Sequence, residues 1–160
     1  MDFKKIAKIL RAEHLSLDGK NPLDIYRKRK EIQKMKRAVC IYLKNSEGLI
    51  LAVSRKHDPN DFGLPGGKVD PGETEEQAVI REMKEETGLK ISNLKKVFQH
   101  TAEREYWTSC WTGEVSGKIQ TSEKGVVSWV VPEVLIKGCF GEYNKKLFDA
   151  IKKGEKMHKG

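Results

Sequence analysis

Hydrophobic residues in this chain recur with two different periods, and the switches between them mark out the elements. Phe3, Ile6, Ile9 and Leu10 fall at helical spacing and predict a short amphipathic helix that ends before the Asp18-Gly19 turn. Pro22 opens a second, highly charged helix, predicted over Asp24 to Lys36, with Ile25, Ile32 and Met35 as sparse apolar contacts. The pattern then changes to strands. Arg37 to Leu43 and Leu49 to Arg55 flank a turn at Asn45-Ser46-Glu47-Gly48 and predict a hairpin, whereas Lys56 to Leu64, with Pro59, Asn60 and Gly63, reads as a loop. Leu94 to His100, Tyr106 to Val115 and Val126 to Val131 predict further strands. A short helical turn at Pro132 to Leu135 follows, and then a final amphipathic helix on Tyr143, Leu147, Phe148 and Ile151. Strands on both sides of one central helix, with another helix at the end, predict an α/β layered domain. We divide the chain into a helical extension at 1–36, a domain at 37–153 and a polar tail at 154–160.

Charge sharpens this division. The 160 residues carry a formal net charge of +8, which ordinarily points to a polyanionic partner. Residues 1–37 hold 12 basic against 5 acidic side chains and the remainder 19 against 18, so the excess belongs to the extension. That segment reads first as a solvated face, with nucleic-acid binding as its alternative. No apolar run approaches the ~20 residues that span a bilayer, so no membrane partner is expected. The N-terminus lacks the features of a secretory signal, and a cytoplasmic location is expected. Cys40, Cys110 and Cys139 are odd in number and lack a CxxC pair. This argues against a disulfide framework or a zinc site, and all three are expected to be buried thiols. The residues leave the oligomeric state open.

The informative segment is LPGGKVDPGETEEQAVIREMKEETGL, Leu64 to Leu89. Gly66-Gly67 permits close approach of a ligand, and Pro71-Gly72 makes a turn that delivers the chain to a helix. Thr74 with Gln77 forms a capping box and Gly88 a left-handed stop, which predicts a helix from Glu75 to Thr87. With Glu82 at the origin of a wheel turning ~100° per residue, Glu85 falls near −60° and Glu86 near +40°. Val79, Met83, Thr87 and Ile80 form an adjacent apolar arc, which leaves three carboxylates along one edge of the buried face. Gathering like charges is unfavourable unless a cation relieves it. Hard oxygen donors suit magnesium, and a magnesium site suits phosphate chemistry. A solvated acidic face made by Glu75, Glu76, Glu82, Glu85 and Glu86, without metal, is the alternative that composition alone allows.

Gly67, Glu73, Arg81-Glu82-Met83, Glu85-Glu86 and Gly88-Leu89 stand at the spacing G-x5-E-x7-R-E-U-x-E-E-x-G-U, where U is a bulky aliphatic residue. This resembles the Nudix box at every defined position. The layout over about 37–153 is similar to Nudix domains, which implies a Nudix-like α/β/α sandwich with a mixed β-sheet, plus the helical N-terminal extension. Nine constrained positions at fixed spacing make a chance match improbable.

The resemblance implies a magnesium-dependent pyrophosphohydrolase, with manganese as an alternative cofactor. Its substrate would be a nucleoside diphosphate linked to a further group. Glu82, Glu85 and Glu86 would coordinate the cations, and Glu86 or Glu85 would take a proton from the attacking water. Arg81 would pair with Glu73 and orient the helix. The Gly67 carbonyl would add a ligand, and Glu123 is the candidate for one more carboxylate, with Glu103 and Glu105 as competitors. Tyr106, 17 residues after Leu89, has the spacing associated with dinucleoside polyphosphate hydrolases, while the post-box proline of ADP-ribose enzymes and the NADH-type and coenzyme A motifs are absent. Alternation puts Trp107 and Trp111 on one strand face and Tyr106 on the other, so Tyr106 or Trp107 could stack on a nucleobase, with core packing as the alternative. Phe62 reads as an aromatic packed under the box. His57, His100 and Cys139 have no partner at catalytic spacing. The leading reading is MutT-like hydrolysis of nucleoside or deoxynucleoside triphosphates, oxidised ones included, to monophosphate and pyrophosphate. Dinucleoside polyphosphate or capped-RNA hydrolysis is second. A non-catalytic nucleotide-binding regulatory module is the third, and its usual mark, a broken box, is not found here.

Overall fold

The computed structural model describes residues 21–102, 106–120 and 125–158. The helix expected on Phe3, Ile6, Ile9 and Leu10 lies outside them. The chain divides between Lys36 and Arg37 into two compact units. Within the first, α1 (Pro22–Lys34) begins where Asn21 caps it, its side chain accepting from Leu23 N–H at 2.9 Å.

The second unit contains two sheets. β1 (Lys36–Ile41), β4 (Gly66–Lys68), β5 (Lys90–Ala102) and β6 (Tyr106–Ser116) form a mixed sheet in the order β4-β1-β6-β5. β2 (Ile50–Arg55), β3 (Asp58–Gly63) and β7 (Val127–Val130) form an antiparallel sheet in the order β3-β2-β7. Three helices follow in this unit: α2 (Glu75–Thr87), α3 (Pro132–Lys137) and α4 (Gly141–His158). The period-2 alternation of β1 explains the layering. Val39 and Ile41 join Ala78, Val79 and Met83 of α2 in one core cluster with Trp111, while Cys40 and Tyr42 face a second cluster with Leu135, Tyr143, Leu147 and Phe148.

Several expectations need correction. The turn after β1 forms, with Gly48 N–H on Asn45 O at 3.1 Å. The flanking strands pair beside the turn, with Asn45 N–H on Leu49 O at 2.9 Å, Leu51 N–H on Leu43 O at 3.0 Å and the Lys44–Ile50 bridge, and beyond it they part into different sheets, so the hairpin is confined to its turn end. The presumed loop 56–64 contains β3, an exposed edge strand, where Pro59 is tolerated because it need not donate to a ladder. Gly66–Lys68 is also a strand, paired with Ala38 to Cys40. α4 outlasts its apolar stripe and continues to His158 through Lys- and Glu-rich turns, which suit a helix without needing burial. Cys40 and Cys110 are buried, but Cys139 is exposed. Among the described residues no helix is long and apolar enough to cross a membrane.

Candidate active site

The acidic helix starts and stops where its sequence dictates. Thr74 Oγ1 accepts from Gln77 N–H at 3.1 Å, and Gln77 Oε1 accepts from Thr74 N–H at 2.9 Å, closing a capping box. At the other end Gly88 adopts φ 78°, and a Cβ there would also meet the Gln120 side chain. The buried face runs through Ala78, Val79, Met83 and Thr87, whereas Ile80, expected inside, is 46% exposed. Burial is therefore rotated toward the carboxylates, and the Glu82 side chain, at 12% exposure, lies within the packed face.

Arg81 is the hub of the acidic stripe. Its Nε and Nη2 donate to the two oxygens of Glu73 at 2.8 and 2.9 Å, Nη1 to Glu82 at 2.8 Å and Glu85 at 3.3 Å, and Nη2 also to the Lys68 carbonyl at 3.0 Å. These hydrogen bonds, with a further one from the Asp70 backbone N–H, hold the Glu73 carboxyl down at about 2. Glu73, and after it Glu82, raise the Arg81 guanidinium in turn. Glu86 Oε2 accepts from Gly66 N–H at 3.1 Å, so α2 is tied to the β4 edge. A Cβ at Gly67 would displace the Glu82 carboxylate.

Glu82, Glu85 and Glu86 offer the hard oxygens that a small dication takes, and the cradle that a Cβ at Gly67 would fill keeps backbone and carboxylate together. The donor set fits such an ion in kind. Among the described residues, however, no three acidic, His or Cys side chains converge into a finished cage, since Arg81 bridges Glu82 and Glu85. Glu103, Glu105 and Glu123 lie outside the described residues.

On the other side of β4 is a cavity of about 240 Å3, lined chiefly by apolar surface. Gly66, Gly67 and Lys68 form one wall, and Tyr106, Thr108, Phe140, Tyr143 and Asn144 contribute others. Lys68 Nζ stands 5.5 Å from the centre of the Tyr106 ring. Trp107 is not among the lining residues, and Trp111 is buried in the core beneath α2. Phe62 packs against the second cluster, with Leu135 and Tyr143, and not under the acidic helix. His100 stacks on Phe98, His57 is exposed, and Cys139 Sγ accepts from Arg55. Sequence reading missed Thr108 and Asn144. The available signal was a polar residue, Asn144, next to Tyr143 on the apolar stripe of α4. It is 2% exposed and its Nδ2 donates to Leu135 O at 3.1 Å.

The family model described as NUDIX domain matches residues 34–150. The chain belongs to the Nudix family. Nudix members are hydrolases of phosphoric anhydride bonds that generally use divalent metal ions. A MutT-like protein of Streptomyces ambofaciens is 32% identical over 109 residues, covering 66% of this chain and 70% of the relative. An ADP-ribose pyrophosphatase of Methanocaldococcus jannaschii is 53% identical over 53 residues, but that stretch is 31% of each protein. Several of the curated relatives are thus matched over less than two thirds of their length. Among solved structures, MutT from Aliivibrio salmonicida and Vibrio cholerae is 28% identical with a TM-score of 0.59, covering 74% of this Nudix chain and 99% of that one.

Proposed function

We propose that this Nudix hydrolase is a MutT-like pyrophosphohydrolase that cleaves nucleoside or deoxynucleoside triphosphates, oxidised bases included, to the monophosphate and pyrophosphate. One observation carries the reading: a side-chain-free edge, Gly66-Gly67, lies between an apolar cavity and the carboxylates of α2. The cavity suits a planar base, with Tyr106 positioned to stack on it. The triphosphate would cross the edge toward Glu82, Glu85 and Glu86, with Lys68 adding positive charge at the crossing.

Magnesium, or manganese in its place, would be held by Glu82, Glu85, Glu86 and the Gly67 carbonyl, with Glu123 as a further ligand. Bound there, it would neutralise the diphosphate and acidify water. Glu86 or Glu85 would accept the proton of the water that attacks a phosphorus of the α,β-anhydride, and the P–O bond that breaks separates the monophosphate from pyrophosphate. Arg81, locked onto Glu73, keeps the carboxylates in register without touching the substrate. The free thiols suit the cytoplasm.

The test is phosphate-anhydride cleavage measured across nucleotide classes with magnesium. Glu86→Gln should lower turnover by roughly 100-fold or more; full turnover in that variant would sink the assignment. The basic α1 favours one second reading, hydrolysis of capped RNA or dinucleoside polyphosphates. Preference for those substrates in the same screen, with a steep fall in RNA affinity as salt rises, would select it.

A further inference from the structure

Glu75 lies outside the nine constrained positions of the box, yet its carboxylate reaches three strands. Oε1 accepts from the Ser109 hydroxyl of β6 at 3.0 Å and pairs with Arg37 Nη1 of β1 at 3.4 Å, while Oε2 pairs with Lys96 Nζ of β5 at 3.1 Å. The Ser109 side chain is fully buried, and Trp111 Nε1 donates to its oxygen at 2.8 Å. An indole N–H can only donate, so the serine oxygen is the acceptor there and its own proton is directed to Glu75. Lys96 Nζ also stands 5.3 Å from the centre of the Trp111 ring. The direction of every link is therefore determined.

Seven residues separate Glu75 from Glu82, two helical turns, so both carboxylates lie on one stripe of α2 about 10 Å apart along the axis. The Arg81–Glu73 pair ties the helix to its approach loop. Glu75 ties it to the sheet. We infer that Glu75 is a positioning residue: by latching the first turn of α2 to β1, β5 and β6 it fixes the rotation of the helix and aims Glu82 and Glu86 at the β4 edge. This rests on the role proposed above for those two glutamates.

The experiment compares the full chain with Glu75→Ala, Glu75→Gln and Ser109→Ala. It measures kcat and KM for a nucleoside triphosphate, and Mn2+ binding by electron paramagnetic resonance without nucleotide. In Glu75→Ala, kcat should fall by roughly ten- to a hundred-fold and Mn2+ should bind several-fold more weakly, with nucleotide KM within about twofold. Glu75→Gln should recover part of both losses, since its amide oxygen still accepts from Ser109. Parental kcat and Mn2+ affinity in folded Glu75→Ala, even with a lower Tm, overturn the inference. Should that variant not fold, parental values in Ser109→Ala do the same. A parent chain that binds no Mn2+ would instead bring down the proposed ion site, and the role of Glu75 with it.

Discussion

Single side chains in this protein do their work through the partners that hold them. Glu73 ionises at about 2 instead of the ordinary 4.5 because Arg81 and the Asp70 backbone N–H bond its charged form. A carboxyl depressed by folding contributes stability that is whole above its unfolded value and lost as pH falls through its folded one. The Arg81–Glu73 pair should therefore stabilise the protein at neutral pH and fade between about 4.5 and about 2. Thermal unfolding of Glu73→Gln against the parent checks this: the deficit at pH 7 should close across that window, and a constant deficit would refute it. At this scale the box residues were legible because their chemistry is tied to fixed spacing. Thr108 and Asn144 were not, because a cavity wall is assembled from distant segments with no spacing rule to read.

At the scale of elements, local chemistry predicts α2 to the residue because its boundaries are made by its own side chains. Thr74→Ala should remove the capping box and cost about 1 kcal/mol, lowering Tm by a few degrees. A scan that shows no shift would mean that packing alone fixes the helix start. Where an element depends on a distant partner, the pattern misleads. β4 is two glycines and a lysine, with no strand propensity, and forms because β1 offers its ladder. β3 contains Pro59 and reads as a loop until β2 supplies the pairing. The expected hairpin is confined to its turn end for a related reason. A turn sequence reports that the chain reverses, not which sheet the next strand will join.

For the whole molecule, the chain divides into two compact units at Lys36 and Arg37, and its positive charge is concentrated in residues 1–37. Residues 37–160 alone should unfold cooperatively and hydrolyse small nucleotides within about twofold of the full chain, as far as the chemistry belongs to the box. Loss of folding on truncation would make the extension part of the core. The layered α/β arrangement was legible because amphipathic periods report which face is buried. The two-sheet topology was not, since it is settled by pairings between strands far apart in sequence. Gly66 and Gly67 leave backbone alone as the partition between the apolar cavity and the carboxylates of α2, the two chambers to which the proposed function assigns the flat ring and the anhydride. On that proposal, an exchange at Thr108, which lines the cavity, should retune which ring is accepted while the Arg81 contacts of the acidic chamber stay as they are. A replacement at Gly67, which lines the cavity and whose Cβ would displace the Glu82 carboxylate, should be private to neither, so on that proposal one residue would pin the chemistry while the cavity wall is free to vary.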